Sequence, residues 1–110
     1  MTFSESIAAG QQNSRTLTIT ATNGSVGPAY ATLIRNVDLT QISGPSCTPK
    51  TTPPGSYPIS LGDIPTSGTA TAAFNVDVTG CDPTSQFILA MPWSSSVYDT
   101  GTFITIVNFP

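Results

Sequence analysis

The side chains able to do chemistry in this 110-residue chain are few: Glu5, five aspartates, Lys50, two cysteines, and the aromatics with a polar handle, Tyr30, Tyr57, Trp93 and Tyr98. There is no histidine. Its absence removes the commonest general base and metal ligand, and a hydroxyl or thiol nucleophile needs such a base beside it. What remains for acid–base work is the carboxylates and Lys50. Asp63, Asp77, Asp82 and Asp99 are spread over different turns and strand faces, whereas glycoside hydrolysis needs two carboxyl groups held together across one bond. Single aspartates at turns ordinarily accept local backbone hydrogen bonds. No catalytic residues are expected, and the chain is read as a non-enzyme.

Two binding chemistries have candidate residues. Asp77, Asp82 and Asp38 would converge at one end of an antiparallel sandwich, but calcium needs roughly six to eight oxygen ligands and no Asp-rich loop of regular spacing is present. The expectation is solvated turn aspartates, no metal and no cofactor. For carbohydrate, Trp93 and Tyr98 flank the turn from Pro92 to Asp99, and with Tyr57 they offer rings on which a sugar could stack. The competing reading is that these rings cap the edge of a core. Coplanar exposed rings would favour the sugar platform, and rings packed on Leu89 or Phe103 would remove it.

Cys47 and Cys81 each sit in a turn-rich segment, Gly44-Pro45-Ser46-Cys47-Thr48-Pro49 and Thr79-Gly80-Cys81-Asp82-Pro83. They are read as a disulfide. Closing their 34-residue separation would stabilise the fold by roughly 3 to 4 kcal/mol in the chain-entropy model. The alternative is two unpaired thiols in a reducing compartment, and two cysteines without histidine are too few for zinc. Pairing implies export. Met1 to Gly10 holds no basic region and no apolar run, so no secretory leader is read there. The chain is expected to be one domain, residues 1–110, of a longer exported protein, extracellular or at the cell surface.

Composition narrows the partners. Charged residues make up 8% of the chain and the formal net charge is −3, with only Arg15, Arg35 and Lys50 positive. No basic patch exists for nucleic acid or anionic lipid. No apolar run is long enough to insert in a membrane. Neighbouring domains, another surface protein or a glycan are the partners that remain. A neutral Ser/Thr-rich face or an unpaired edge strand could also take a partner strand, at a position the sequence does not assign. The Asn23-Gly24-Ser25 sequon is read as incidental.

The elements that must position these residues are strands. From Thr69 to Val78 the even positions Ala70, Ala72, Phe74, Val76 and Val78 are apolar while the odd ones are almost all polar, a period of two that a helix cannot produce. Arg15 to Asn23 alternates likewise, with Leu17, Ile19 and Ala21 inward and threonines outward. Thr2 to Ala9 reads as a short edge strand. Ala29 to Ile42 is apolar on the phase of Ala29, Ala31, Leu33, Val37 and Leu39, with a bulge near Ile34 to Asn36 that would turn Arg35 outward and carry the strand toward the other sheet. Gly44 to Ser56, with four prolines and two glycines, is read as loop. Tyr57 to Leu61 is a short strand and Gly62 to Gly68 a connection. Phe87 to Trp93 is a central strand whose pairing Pro92 is expected to end. Thr102 to Phe109 is the last strand, apolar in both phases, so its inner face stays open. Six or seven such strands in one domain give an all-β antiparallel Ig-like β-sandwich of about seven strands, with a small barrel as the alternative.

The order of pieces, LTITATN, then Gly-Pro-Ala-Tyr-Ala, then Pro58-Ile59-Ser60-Leu61-Gly62-Asp63-Ile64-Pro65 before an alternating strand ending in Gly80-Cys81, and last Val107-Asn108-Phe109, resembles the Ig-like modules of the CARDB and fibronectin III-like groups. These recur in bacterial secreted and cell-surface proteins. The resemblance implies a non-catalytic spacer, adhesion or presentation domain. It brings no catalytic residues with it, and the Pro-rich stretch from Thr48 to Ser56 departs from it.

Overall fold

The alternating segments fold as strands and the apolar phase of each faces a common interior. In the computed structural model, which describes residues 1–10, 12–96 and 99–110, nine strands follow one another: β1 (Thr2–Ala9), β2 (Ser14–Thr22), β3 (Ala29–Ile34), β4 (Asp38–Ser43), β5 (Lys50–Thr52), β6 (Ile59–Ile64), β7 (Thr69–Asp77), β8 (Gln86–Ser95) and β9 (Asp99–Asn108). One antiparallel sheet runs β1-β2-β7-β5. In the other, β9 pairs along the whole of β8, while β4 and then β3 share the opposite side of β8, and β6 pairs with β3. Two antiparallel sheets therefore stack as a sandwich, with nine strands rather than about seven.

The core is the apolar phase of both sheets. Leu17, Ile19, Phe74 and Val76 from the four-stranded sheet meet Ile34, Phe87, Leu89 and Met91 from the five-stranded one, all of them buried in a single cluster. Each such side chain removed from water contributes about 1.5 to 3 kcal/mol. The threonines of β2 stay on the solvent side of the pleat, where their branched side chains suit an extended backbone.

The second apolar segment departs from the expected phase. Ala31 adopts φ +49° and the pairing of β3 with β6 shifts register between Ala29 and Leu33. The Asp63 carboxylate accepts the Ala31 N–H at 2.9 Å, which gives this irregular backbone a partner. One residue is thereby inserted, so that Thr32 and Ile34 are buried and Ala31 is exposed. The strand then breaks at residues 35–37 rather than crossing to the other sheet. β3 and β4 both pair with β8, and Arg35 is exposed as expected.

Three further expectations are corrected. The Pro-rich loop contains a strand, β5, in which Lys50, Thr51 and Thr52 pair with Asp77, Val76 and Asn75. β6 runs on to Ile64 through the residues expected to be a connection, because Gly62 takes φ +71° within it, a conformation glycine adopts at no steric cost. Pro92 does not end the pairing of β8, which continues to Ser95 opposite Asp99. Its carbonyl accepts the Arg35 N–H at 2.8 Å, and the carbonyl and nitrogen of a strand residue point to the same neighbour. The missing N–H of Pro92 therefore faces Arg35 at the break between β3 and β4, and the ladder with β9 on the other side of β8 is left whole.

Asn23 ties one end of the sandwich together. It is buried; its Nδ2 donates to the carbonyls of Gly27 (2.9 Å) and Ile64 (3.0 Å), and its Oδ1 accepts from Ser25 N (3.0 Å) and Oγ (2.6 Å). Its backbone N–H donates to Gly68 and its carbonyl accepts from Ser67. The loop of residues 23–28 and the turn of 65–68 are thus held on one residue, the first by its side chain and the second by its main chain. The amide nitrogen a glycan would occupy is already committed to two carbonyls, consistent with an incidental sequon.

The outermost strands run in the same direction. β1 starts opposite Thr22 and ends opposite Arg15, while β9 starts opposite Ser95 and ends opposite Gln86. Ser96 N–H donates to the Tyr30 carbonyl and Arg15 Nε to the main-chain oxygen of Pro110. These contacts place the starts of β1 and β9 at one end and their finishes at the other.

Candidate functional site

Cys47 and Cys81 are bonded, with their Cα atoms 5.3 Å apart. Cys47 lies in the loop after β4 and Cys81 in the turn after β7, so the bridge fastens the connections of the two sheets to each other. Gln41 prepares the first half: its Oε1 accepts the Cys47 N–H at 3.0 Å, and its Nε2 donates to the carbonyls of Ser43 and Pro45. On the other side, Cys81 N–H donates to the Val78 carbonyl. Both sulfurs are half-buried against the main core.

The aspartates act locally. Asp77 accepts from Thr79 N (3.0 Å) and Oγ1 (2.6 Å), and Asp82 accepts in the same way from Thr84 (2.8 and 2.6 Å). The threonine hydroxyl and then its backbone N–H hold each carboxyl below the usual aspartate range, with Lys50 adding to the effect at Asp77. Asp38 accepts from Asn36. Among the described residues, no three potential metal ligands come together. Beside Asp77 lies an open groove of about 580 Å³ lined by Gln12, Asn13, Ser14, Asn75, Asp77 and Thr79. Its polar groups largely satisfy one another, Ser14 Oγ donating to Asn75 Oδ1 and Thr79 to Asp77.

Of the three rings expected to bind a sugar, Tyr98 lies outside the described residues. Trp93 is half-buried, on the inward phase of β8. Its ring stands 5.1 Å from that of Phe3 on the opposite sheet, and Phe3 lies 5.8 Å from Phe103. Directly across the ladder is Gly101, where a Cβ would come within 2.9 Å of the indole Nε1 and Cζ2. The indole covers that glycine and closes the gap between the sheets. Tyr57 packs against the main core beside β6. Tyr30, in contrast, is exposed.

Burial disfavours the Tyr57 phenolate, and the nearby Asp38 carboxylate disfavours it further, so Tyr57 ionises above its ordinary value of 10.0. The folded protein therefore holds this proton more tightly than the unfolded chain. The resulting stability is fully present below about pH 10 and is lost as the pH rises beyond it. The urea midpoint of the wild type should fall further between about pH 8 and pH 11 than that of Tyr57→Phe. Equal falls in the two proteins would show that Tyr57 is free to ionise.

The last strand, whose inner face the sequence leaves open, has the phase Gly101, Phe103, Thr105 and Val107 inward, opposite Trp93, Met91, Leu89 and Phe87. Ile104 and Ile106 are consequently outside, 63% and 58% exposed. On the same outer face lie Ile88, paired with Ile106 and Thr40, and exposed Ile42. Sequence reasoning missed this apolar stripe on a sheet face. Its signal is the run Phe103 to Val107, in which both phases carry apolar residues although only one can face the core.

Sheet order, core and inter-sheet bridge define an all-β sandwich of Ig-like architecture with a disulfide between the connections of its sheets. Among solved structures it is similar to the crystal structure of the yeast GGA1 GAE domain, with a TM-score of 0.54 over 98% of this chain and 89% of that one, at 12% sequence identity. At that identity the likeness is one of fold. No family model matches the chain, and no curated protein matches it.

Proposed function

We propose that this chain is a non-catalytic module, a spacer or adhesion domain of a bacterial secreted or cell-surface protein, whose immediate partners are neighbouring domains of the same parent. The observation that carries the reading is the Cys47–Cys81 bridge. Such a bond persists in oxidising compartments and is uncommon in the cytosol. A chain without histidine whose aspartates serve their own turns adds support for a scaffold rather than a catalyst. The carbohydrate alternative rests on Trp93, Tyr57 and Tyr98, and is the weaker because Trp93 and Tyr57 pack onto the core side.

The compartment is testable through the thiols. Protein isolated after export and denatured without reductant should contain no titratable thiol, and two should appear after reduction. Two thiols before reduction would remove the bridge and with it the argument for export.

A further inference from the structure

Among the described residues five strands, β1, β4, β5, β6 and β9, are paired on one side only, and four of them carry features that discourage another strand from adding. β4 is six residues long and is bulged between Gln41 and Ser43. β1 bears Glu5 on its inward phase, half-buried. β5 is three residues long and begins with Lys50. β6 has an irregular register, Gly62 at positive φ, Asp63, and Pro65 immediately after it. β9 has none of these. Its ten residues pair with β8 in unbroken register, contain no proline, lysine or arginine, and carry one charge, Asp99, at the first position. Its outer face presents Ile104 and Ile106.

From this asymmetry we propose that β9 is a pairing edge and that its occupant is the β9 of a second copy of this chain, antiparallel about a two-fold axis at Thr105. That register is self-complementary. Ile104 falls opposite Ile106 of the second copy, and Ile106 opposite its Ile104, so the two exposed stripes become one. On the inner face Phe103 meets Val107 and Gly101 meets Phe109, while Thr102 meets Asn108 on the outside. Each opposed pair lies an even number of residues apart, so inward side chains meet inward ones. The charges also agree. Asp99 reaches just past Pro110 of the second copy, whose main-chain oxygen holds the Arg15 guanidinium at 2.7 Å. Arg15 otherwise donates to the carbonyls of Gln12 and Ser14, so its positive charge meets a carboxylate at both ends of the paired strands by symmetry. No like charges face each other along the ladder.

The two five-stranded sheets would continue as one across an isologous interface. One strand from each copy covers less than roughly 1,200 Å², which places the dimer in the weak, concentration-dependent class. Sedimentation equilibrium of the intact protein from about 10 μM to about 1 mM, a range suited to weak association, tests it. The weight-average mass of the wild type should rise toward twice that of the monomer. Ile104→Lys and Ile106→Lys, each at a position already open to solvent, should weaken the association by about tenfold or more with an unchanged thermal midpoint. A wild-type protein that stays monomeric throughout the range overturns the proposal and leaves the edge to another kind of partner. A dimer that both lysine variants form as well as the wild type overturns it too, since the contact then lies on another face.

Discussion

Phe74→Ala should lower the free energy of unfolding by about 3 to 5 kcal/mol, measured as a shift of the urea transition followed by circular dichroism. Phe74 is fully buried at the middle of β7 and is paired with Leu17, which is also fully buried. Truncating the ring withdraws its apolar surface from the core and leaves a cavity that two hydrogen-bonded sheets cannot collapse to fill. A domain of this size has a total stability of about 5 to 15 kcal/mol, so the loss is a large fraction of it. The neighbouring Asn75→Ala, on the exposed phase, should change stability by less than about 1 kcal/mol. A Phe74→Ala effect as small as that of Asn75→Ala would mean that β7 does not present its even residues to the core.

Replacing both Cys47 and Cys81 by serine should cost about 3 to 4 kcal/mol. The chain-entropy model attributes this to the unfolded state, which is freed of a closure between residues 34 apart in sequence. The slope of free energy against urea should rise at the same time, because an unfolded chain without the link expands and exposes more surface. Near-ultraviolet spectra of the folded variant should stay close to those of the wild type, since Gln41 still holds the loop through three backbone hydrogen bonds. A loss below about 1 kcal/mol would show that the bridge closes a loop already ordered without it.

Much of this architecture is legible in the residues, and the exceptions have physical causes. β2 and β7 are readable because each alternates, with Leu17, Ile19 and Ala21 of one and Ala72, Phe74 and Val76 of the other buried in the core. β5 is not, since three residues give no period and its partners Asn75 to Asp77 lie some two dozen positions away. The phase of β3 turns on Asp63 in a different strand, which accepts the Ala31 N–H and accommodates the inserted residue. Pro92 misleads because its effect depends on what lies opposite, and here that is the break between β3 and β4. The paired cysteines are visible through their flanking turn residues. The role of Trp93 is not, because Phe3, which its ring meets, lies at the far end of the chain. β9 carries apolar residues in both phases, and only its ladder with Phe87, Leu89 and Met91 decides which phase is inside.

The shared direction of β1 and β9 has a mechanical meaning. A pull between the start of β1 and the end of β9 acts along the strands, across hydrogen bonds that lie perpendicular to them. The eight residue pairs joining β1 to β2 and the ten joining β8 to β9 are then loaded together, in shear. Had the force met the end of either ladder sideways, the pairs would open in succession, each bearing the load alone. A link strung between neighbours would in this way resist tension with whole ladders, and the bridge between Cys47 and Cys81 would keep the chain between them from paying out.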